Sequence, residues 1–149
     1  MELTALLLML VVASSAPLSA QPVPTQPPSV TENNLYIYRK YAEPTVFAAT
    51  VKVDGSKIAA LGNKQYIAVH VAPGEHTIDL TWPMFSGQHA TEFAVTVPEG
   101  KRVYLQINGI SRVVGVFGNL LETKVGSQIA EIDPEKASSI VDECCQLKN

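Results

Sequence analysis

The side chains with reactive potential are few, and their spacing limits what they can do. His70, His76 and His89 are the whole imidazole supply. Zinc requires three or four convergent ligands. His70 and His76 stand on either side of an APGE turn signal, in a register that puts them on opposite faces of a strand pair, and His89 lies beyond a loop. No metal site is expected; His76 should cap an apolar face near its turn and His70 should be solvated. For serine chemistry the nearest match is Gly109-Ile110-Ser111-Arg112-Val113. It lacks the second glycine of a nucleophile elbow and does not sit between a strand and a helix. Asp79, Glu92 and Glu99 have no spacing that forces two carboxylates together. Gly115-Val116-Phe117-Gly118 is too short and apolar to cradle a phosphate, and no lysine with serine or threonine follows it. These residues predict no catalytic group, no cofactor and no enzyme.

Two further features bear on chemistry. Cys144 and Cys145 are adjacent, and neighbours on a helix project about 100° apart, too far round to be bridged. Three states are open: both reduced, with Cys144 buried and Cys145 exposed; a vicinal bridge that ends the helix early; or an intermolecular disulfide through Cys145. Helix geometry favours the first or third over the second. A redox catalyst would want Cys-x-x-Cys, which is absent. The other feature is Trp82-Pro83-Met84-Phe85-Ser86-Gly87-Gln88-His89, with three large apolar residues at or beside a loop. Trp82, Met84, Phe85 and His89 form a candidate binding loop. The competing reading has Trp82 and Phe85 plugging the end of a sandwich, and it is favoured because Trp82 continues the buried face of its strand.

The elements that must position these groups read as an all-β fold. From Leu35 onward, short branched and aromatic runs recur about every ten residues between turn residues, the signature of an antiparallel β-sandwich or partly closed barrel of about seven to nine strands. The expected strands are Leu35 to Arg39, Val46 to Val53, Lys57 to Leu61, Gln65 to Val71, Glu75 to Trp82, Thr91 to Val97, Arg102 to Ile107 and Ile110 to Phe117. Leu120 to Val125 is ambiguous. Asp54-Gly55 predicts a tight type I′ hairpin with Val51 opposite Ile58 and Lys52 opposite Lys57. Pro73-Gly74 predicts a second hairpin, pairing Val69 with Ile78 and Ile67 with Leu80. Asn108-Gly109 predicts a third, and Gly115, Gly118 and Gly126 mark bends or bulges. Near the end, Asp133-Pro134-Glu135 supplies an N-cap, a proline at the first helical position and an acid in the first turn. Ala137, Ile140, Val141 and Cys144 then form one apolar stripe, so a helix is expected from Pro134 to about Gln146.

Ahead of this domain, residues 1–20 carry an apolar run and a small-residue zone that read as a signal peptide cleaved after Ala20. Residues 21–34 are proline-rich and read as an extended linker. The domain proper is 35–149. No cysteine follows the cleavage zone, so a lipid anchor is not expected. The chain is 149 residues long with a formal net charge of −3. It therefore offers no basic face to displace phosphate counterions, and nucleic acid is excluded as a partner.

Leu35-Tyr36-Ile37-Tyr38-Arg39, Val51-Lys52-Val53-Asp54-Gly55 with Ile58 and Leu61, Tyr66, Val71-Ala72-Pro73-Gly74-Glu75-His76-Thr77, Gly100 and Tyr104 together resemble a family of exported bacterial proteins, mostly lipoproteins, known as domain of unknown function 2846. The VDG and PGEHT elements are also similar to those of the small surface-associated β modules named PEGA. Lys40, where that family often has proline, the lack of a glycine just before Tyr66 and the missing anchoring cysteine depart from the pattern. The resemblance implies a β fold and no known activity, catalytic residue or cofactor.

The expected function is that of a non-enzymatic interaction module of the bacterial envelope, periplasmic or extracellular. It should be soluble after cleavage without stable membrane insertion, and its partner an envelope protein or glycan. A carrier barrel holding a small apolar ligand is the alternative. A small exported hydrolase, which would use Ser111 or His89, lacks an assembled nucleophile or metal geometry.

Overall fold

The computed structural model describes residues 32–41, 47–118 and 120–148. The leader, its cleavage position at Ala20 and the stem as far as residue 31 lie outside the described residues, as does Val46.

The described residues build nine strands and one α-helix: β1 (Leu35–Arg39), β2 (Ala49–Val53), β3 (Ser56–Leu61), β4 (Gln65–Val69), β5 (Gly74–Thr81), β6 (Thr91–Val97), β7 (Val103–Phe117), β8 (Leu120–Ile132), α1 (Pro134–Cys144) and β9 (Gln146–Leu147). They form two sheets, one ordered β8-β7-β1-β4-β9 and the other β3-β2-β5-β6. The all-β sandwich expected from the periodicity is therefore what folds, and it is not closed into a barrel. Two of its pairs, β1 with β7 and β4 with β9, are parallel.

Alternation of side chains explains the layers. On β1, Leu35 and Ile37 point between the sheets, where they join Val51 and Val53 of β2, Ile78 and Leu80 of β5, Val95 and Val97 of β6, and Leu105 and Ile107 of β7. Each such burial contributes about 1.5–3 kcal/mol relative to exposure. The intervening residues Tyr36 and Tyr38 face outward, and α1 covers them: Tyr38 and Tyr104 pack with Ala137 and Val141 in a second cluster. Tyr36 and Tyr104, partners in the parallel register, stack with ring centroids 4.7 Å apart. The tyrosines in this sheet are thus a floor for the helix. Asp133 caps α1 by accepting from the backbone N–H groups of Glu135 and Lys136, as the sequence predicts.

The Asp54-Gly55 hairpin is present, with φ of 50° and 76° at its two central residues, the left-handed pair that a type I′ turn needs. Lys52 faces Lys57, but Val51 faces Ala59 because a bulge follows Val51 and leaves Ile58 over. The Pro73-Gly74 hairpin is corrected. β4 and β5 lie in different sheets, β4 beside β1 and β5 between β2 and β6. The apolar alternation that suggested side-by-side pairing is satisfied equally by two strands facing each other across the sandwich. Asn34 enforces the separation: its side chain donates to the Val71 carbonyl and accepts from the Val71 N–H, both at 2.9 Å, so that Val71 needs no strand partner.

Asn108-Gly109 is corrected too. Both residues lie inside β7, opposite Gln128 and Ser127 of β8, because a long partner strand overrides the local turn preference. Chain reversal comes instead after Phe117, where Gly118 has φ 61°, and the ambiguous Leu120–Val125 becomes the start of β8. A register shift between Val113 and Gly115 is the bulge that the glycine there marks. The helix stops at Cys144 rather than near Gln146, since Cys144 and Cys145 are joined in a vicinal disulfide and Cys145 is extended (φ −130°, ψ 143°). The intermolecular disulfide through Cys145 is thereby corrected: its sulfur is already bonded within the chain.

Candidate interaction surface

The loop singled out in the sequence leaves β5 at the end of the sandwich. Trp82 turns inward against the core. Its indole N–H donates to Ser127 Oγ of β8 at 3.0 Å, and the Arg39 guanidinium lies 4.9 Å from its ring centroid. Arg39, at the end of β1, is fully buried. Its Nη1 donates to the Phe47 carbonyl at 2.7 Å, and desolvation holds its pKa below the ordinary guanidinium value. The indole face offsets part of the cost of burying that charge. The signal in the sequence was an arginine at an inward-facing position of β1, in step with Leu35 and Ile37.

Beyond Trp82 the chain makes a tight 3-10 turn, Met84–Ser86. Ser86 N–H donates to the Pro83 carbonyl at 2.9 Å, its hydroxyl accepts from Gln88 N–H at 3.1 Å, and Gly87 takes φ 69°. The turn rests on β8: a Cβ added at Gly87 would sit 3.4 Å from Val125 Cγ2. Thr91 Oγ1 ties the returning strand to Ser127, 2.9 Å from its hydroxyl and 3.2 Å from its carbonyl. This bracing leaves Met84 and Phe85 90% and 89% exposed. Phe85 therefore does not plug the sandwich, as had been expected; Trp82 alone does, because a 3-10 turn anchored at Pro83 points the next two side chains outward. His89 is exposed on the same loop.

Beside the loop stands a long arm. β1 accompanies β7 only along Val103–Gln106. From Ile107 outward β7 has β8 as its strand neighbour and, among the described residues, no other. Val113, Val114 and Val116 of this arm are exposed. Arg112 and Lys124 face each other across it. Turn and arm together present exposed apolar side chains beside strand edges that have no β neighbour among the described residues.

The other candidate groups lie elsewhere. His76 sits at the opposite end of β5, where Nδ1 is 2.7 Å from Asp54 Oδ2 and Nε2 is 2.7 Å from the Ala72 carbonyl. Both neighbours are acceptors, so the charged imidazolium satisfies both. The bond to Asp54 raises the His76 pKa, and the same bond lowers that of Asp54. His70 is exposed and contacts the Glu32 carbonyl. Among the described residues no three His, Cys, Asp or Glu side chains converge on a metal position. Ser111 lies within β7, not in a turn.

Two sheets, a C-terminal helix, an exposed apolar loop and a long β7–β8 arm define an all-β sandwich domain. The chain belongs to the family "protein of unknown function (DUF2846)", whose profile matches residues 30–118. The match ends at the tip of the arm, so β8, α1 and β9 extend beyond it. No curated protein and no solved structure is significantly similar to the chain.

Proposed function

We propose that the protein is an exported, non-catalytic interaction module of the bacterial envelope that holds a protein or glycan partner against Met84, Phe85 and the β7–β8 arm. The observation that carries this reading is the near-complete exposure of two adjacent large apolar side chains on a turn braced by Trp82 and Ser127. Single exposed apolar residues are ordinary. Two on a fixed turn, with Val113 and Val116 exposed on the arm face that meets that turn and with strand edges open among the described residues, form the kind of patch that marks a binding face. The inter-sheet space is filled by side chains, which favours a surface over an interior ligand and so favours this reading over a carrier. Support for export comes from the leader, the family resemblance and the disulfide, a bond that persists in oxidising compartments.

The test is cell fractionation combined with photocrosslinking in the native envelope, with the crosslinker placed at Phe85 and, as a control, at the exposed Glu75 on the far end of β5. The reading predicts an envelope-associated protein and one defined adduct from position 85 that is absent from position 75. A cytoplasmic protein, or equal capture at both positions, would refute it.

A further inference from the structure

We propose that the Cys144–Cys145 disulfide is an exchange site for an anionic low-molecular-weight thiol, and that its reduction releases strand β9 from β4.

The two half-buried cysteines are placed differently. Cys144 lines an open hollow of about 470 Å³ together with Lys40, Tyr41, Lys64 and Glu143. Cys145 packs instead against the tyrosine cluster beneath α1. An incoming thiolate therefore meets Cys144 Sγ, and Cys145 is the leaving sulfur. Among the described residues, two ammonium groups and one carboxylate border the hollow, a net positive rim that favours a thiolate over a thiol and suits a small thiol carrying its own carboxylates. In the first step the thiolate bonds to Cys144 Sγ, the Cys144–Cys145 bond breaks, and Cys145 departs as a thiolate that takes a proton from water. A second thiolate then attacks the external sulfur of the mixed disulfide, releasing the oxidised small thiol and the Cys144 thiolate. Two thiols are oxidised and one protein disulfide is reduced.

The consequence for the chain follows from where the bridge sits. Cys145 N–H still donates to the Val141 carbonyl at 3.0 Å, the bond a continuing helix would make, while its φ and ψ are those of a strand. Neighbouring side chains on a helix diverge by about 100°, so the bridge obliges the helix to stop there. β9 begins at the next residue and is held to β4 through Gln146 N–H to the Lys64 carbonyl, 2.9 Å, and Lys148 N–H to the Tyr66 carbonyl, 2.8 Å. Its side chains are exposed, so little burial reinforces this short backbone ladder. With the bridge open, α1 can propagate through Cys145 and withdraw the strand.

The test uses the full chain with glutathione as the probe, following acid-quenched intact mass and amide hydrogen exchange. A mixed disulfide mapped to Cys144 is expected. In Lys40→Gln/Lys64→Gln the exchange should slow by about three- to tenfold at low salt, with the difference shrinking at high salt. The neutral thiol 2-mercaptoethanol should show little of this loss. On reduction, exchange at Gln146 and Lys148 should rise by at least about tenfold while the core strands stay protected. In the single variants, Cys145→Ser should take up oxidised glutathione faster than Cys144→Ser. Equal rates for wild type and the lysine variant, an adduct formed first on Cys145, or unchanged protection of Gln146 and Lys148 after reduction would overturn the proposal.

Discussion

Replacing Ser127 by alanine removes one hydroxyl from the joint that fixes the candidate binding turn. In the native protein that hydroxyl accepts from the Trp82 indole at 3.0 Å and lies 2.9 Å from Thr91 Oγ1. Thr91 keeps the Ser127 carbonyl at 3.2 Å, so the loss falls mainly on the indole N–H. A neutral hydrogen bond contributes about 0.5–1.5 kcal/mol net, and stranding a buried donor costs about 1–3 kcal/mol. Both partners are only partly buried, which puts the expected cost near the lower bound, about 1 kcal/mol. With a urea m-value of about 1–3 kcal/mol per molar, the midpoint should fall by about 0.3–1 M. Trp82 is the chain's single tryptophan, so its fluorescence reports on this joint directly. Trp82→Phe removes the donor while keeping an aromatic ring. Followed by circular dichroism, Ser127→Ala should cost about 1 kcal/mol less in that background than in the wild type. Equal cost in both backgrounds would show that the indole bond does not brace the turn, and the bracing argument would fail with it.

Met84→Ser with Phe85→Ser should leave stability within about 0.5 kcal/mol of the wild type by urea unfolding, because both side chains are solvent-exposed, while abolishing the position-85 adduct's native partner in pull-downs. The His76–Asp54 pair gives a pH dependence of worked sign. The raised His76 pKa makes its contribution complete below the ordinary imidazole value of about 6.5 and lost as pH rises through the folded value. The lowered Asp54 pKa makes its own contribution complete above about 3.9 and lost as pH falls through the folded value. The urea midpoint difference between wild type and His76→Gln should therefore be largest between about pH 4 and 6.5 and shrink on either side. Asp133→Ala removes the acceptor for two N–H groups of α1 and should cost about 1 kcal/mol, read by the same unfolding curves; a change below about 0.3 kcal/mol would mean that α1 is held by its tyrosine floor alone.

Features written in local chemistry were legible from the sequence. The left-handed pair at Asp54-Gly55, the cap at Asp133, the ends of β1 and β6 and the alternation of inward apolar residues all follow from nearest neighbours along the chain. What did not follow is which strand lies beside which. Ile67 and Val69 alternate with the same phase whether Ile78 and Leu80 sit next to them or across the core, and the long-range pairings of β4 with β1 and of β5 with β2 and β6 decide between the two. The Asn108-Gly109 signal was local and genuine, yet thirteen residues of β8 paired across it. The candidate surface was half legible: the loop was picked out by its composition, but the fate of Phe85 depended on a 3-10 turn, and the arm beside it on a register that no short window contains. The cysteine bridge was set aside on helix geometry that is sound inside a helix, and Cys145 is just outside one.

The strand order β8-β7-β1-β4-β9 has a kinetic side. Its central strand is the first of the described strands to be synthesised, while the strands that flank it on one side come from beyond residue 100 and the last edge strand from Gln146–Leu147. A chain leaving the ribosome can close β2 on β3 early, and β5 on β6 soon after. It cannot complete the larger sheet until β7, β8 and β9 have followed, and Leu35 and Ile37 wait without their β7 neighbours until residues beyond 103 have emerged. Such long-range pairings fold slowly. Until those later strands arrive, two small hairpins can form while the apolar inward face of β1 lacks its β7 neighbour.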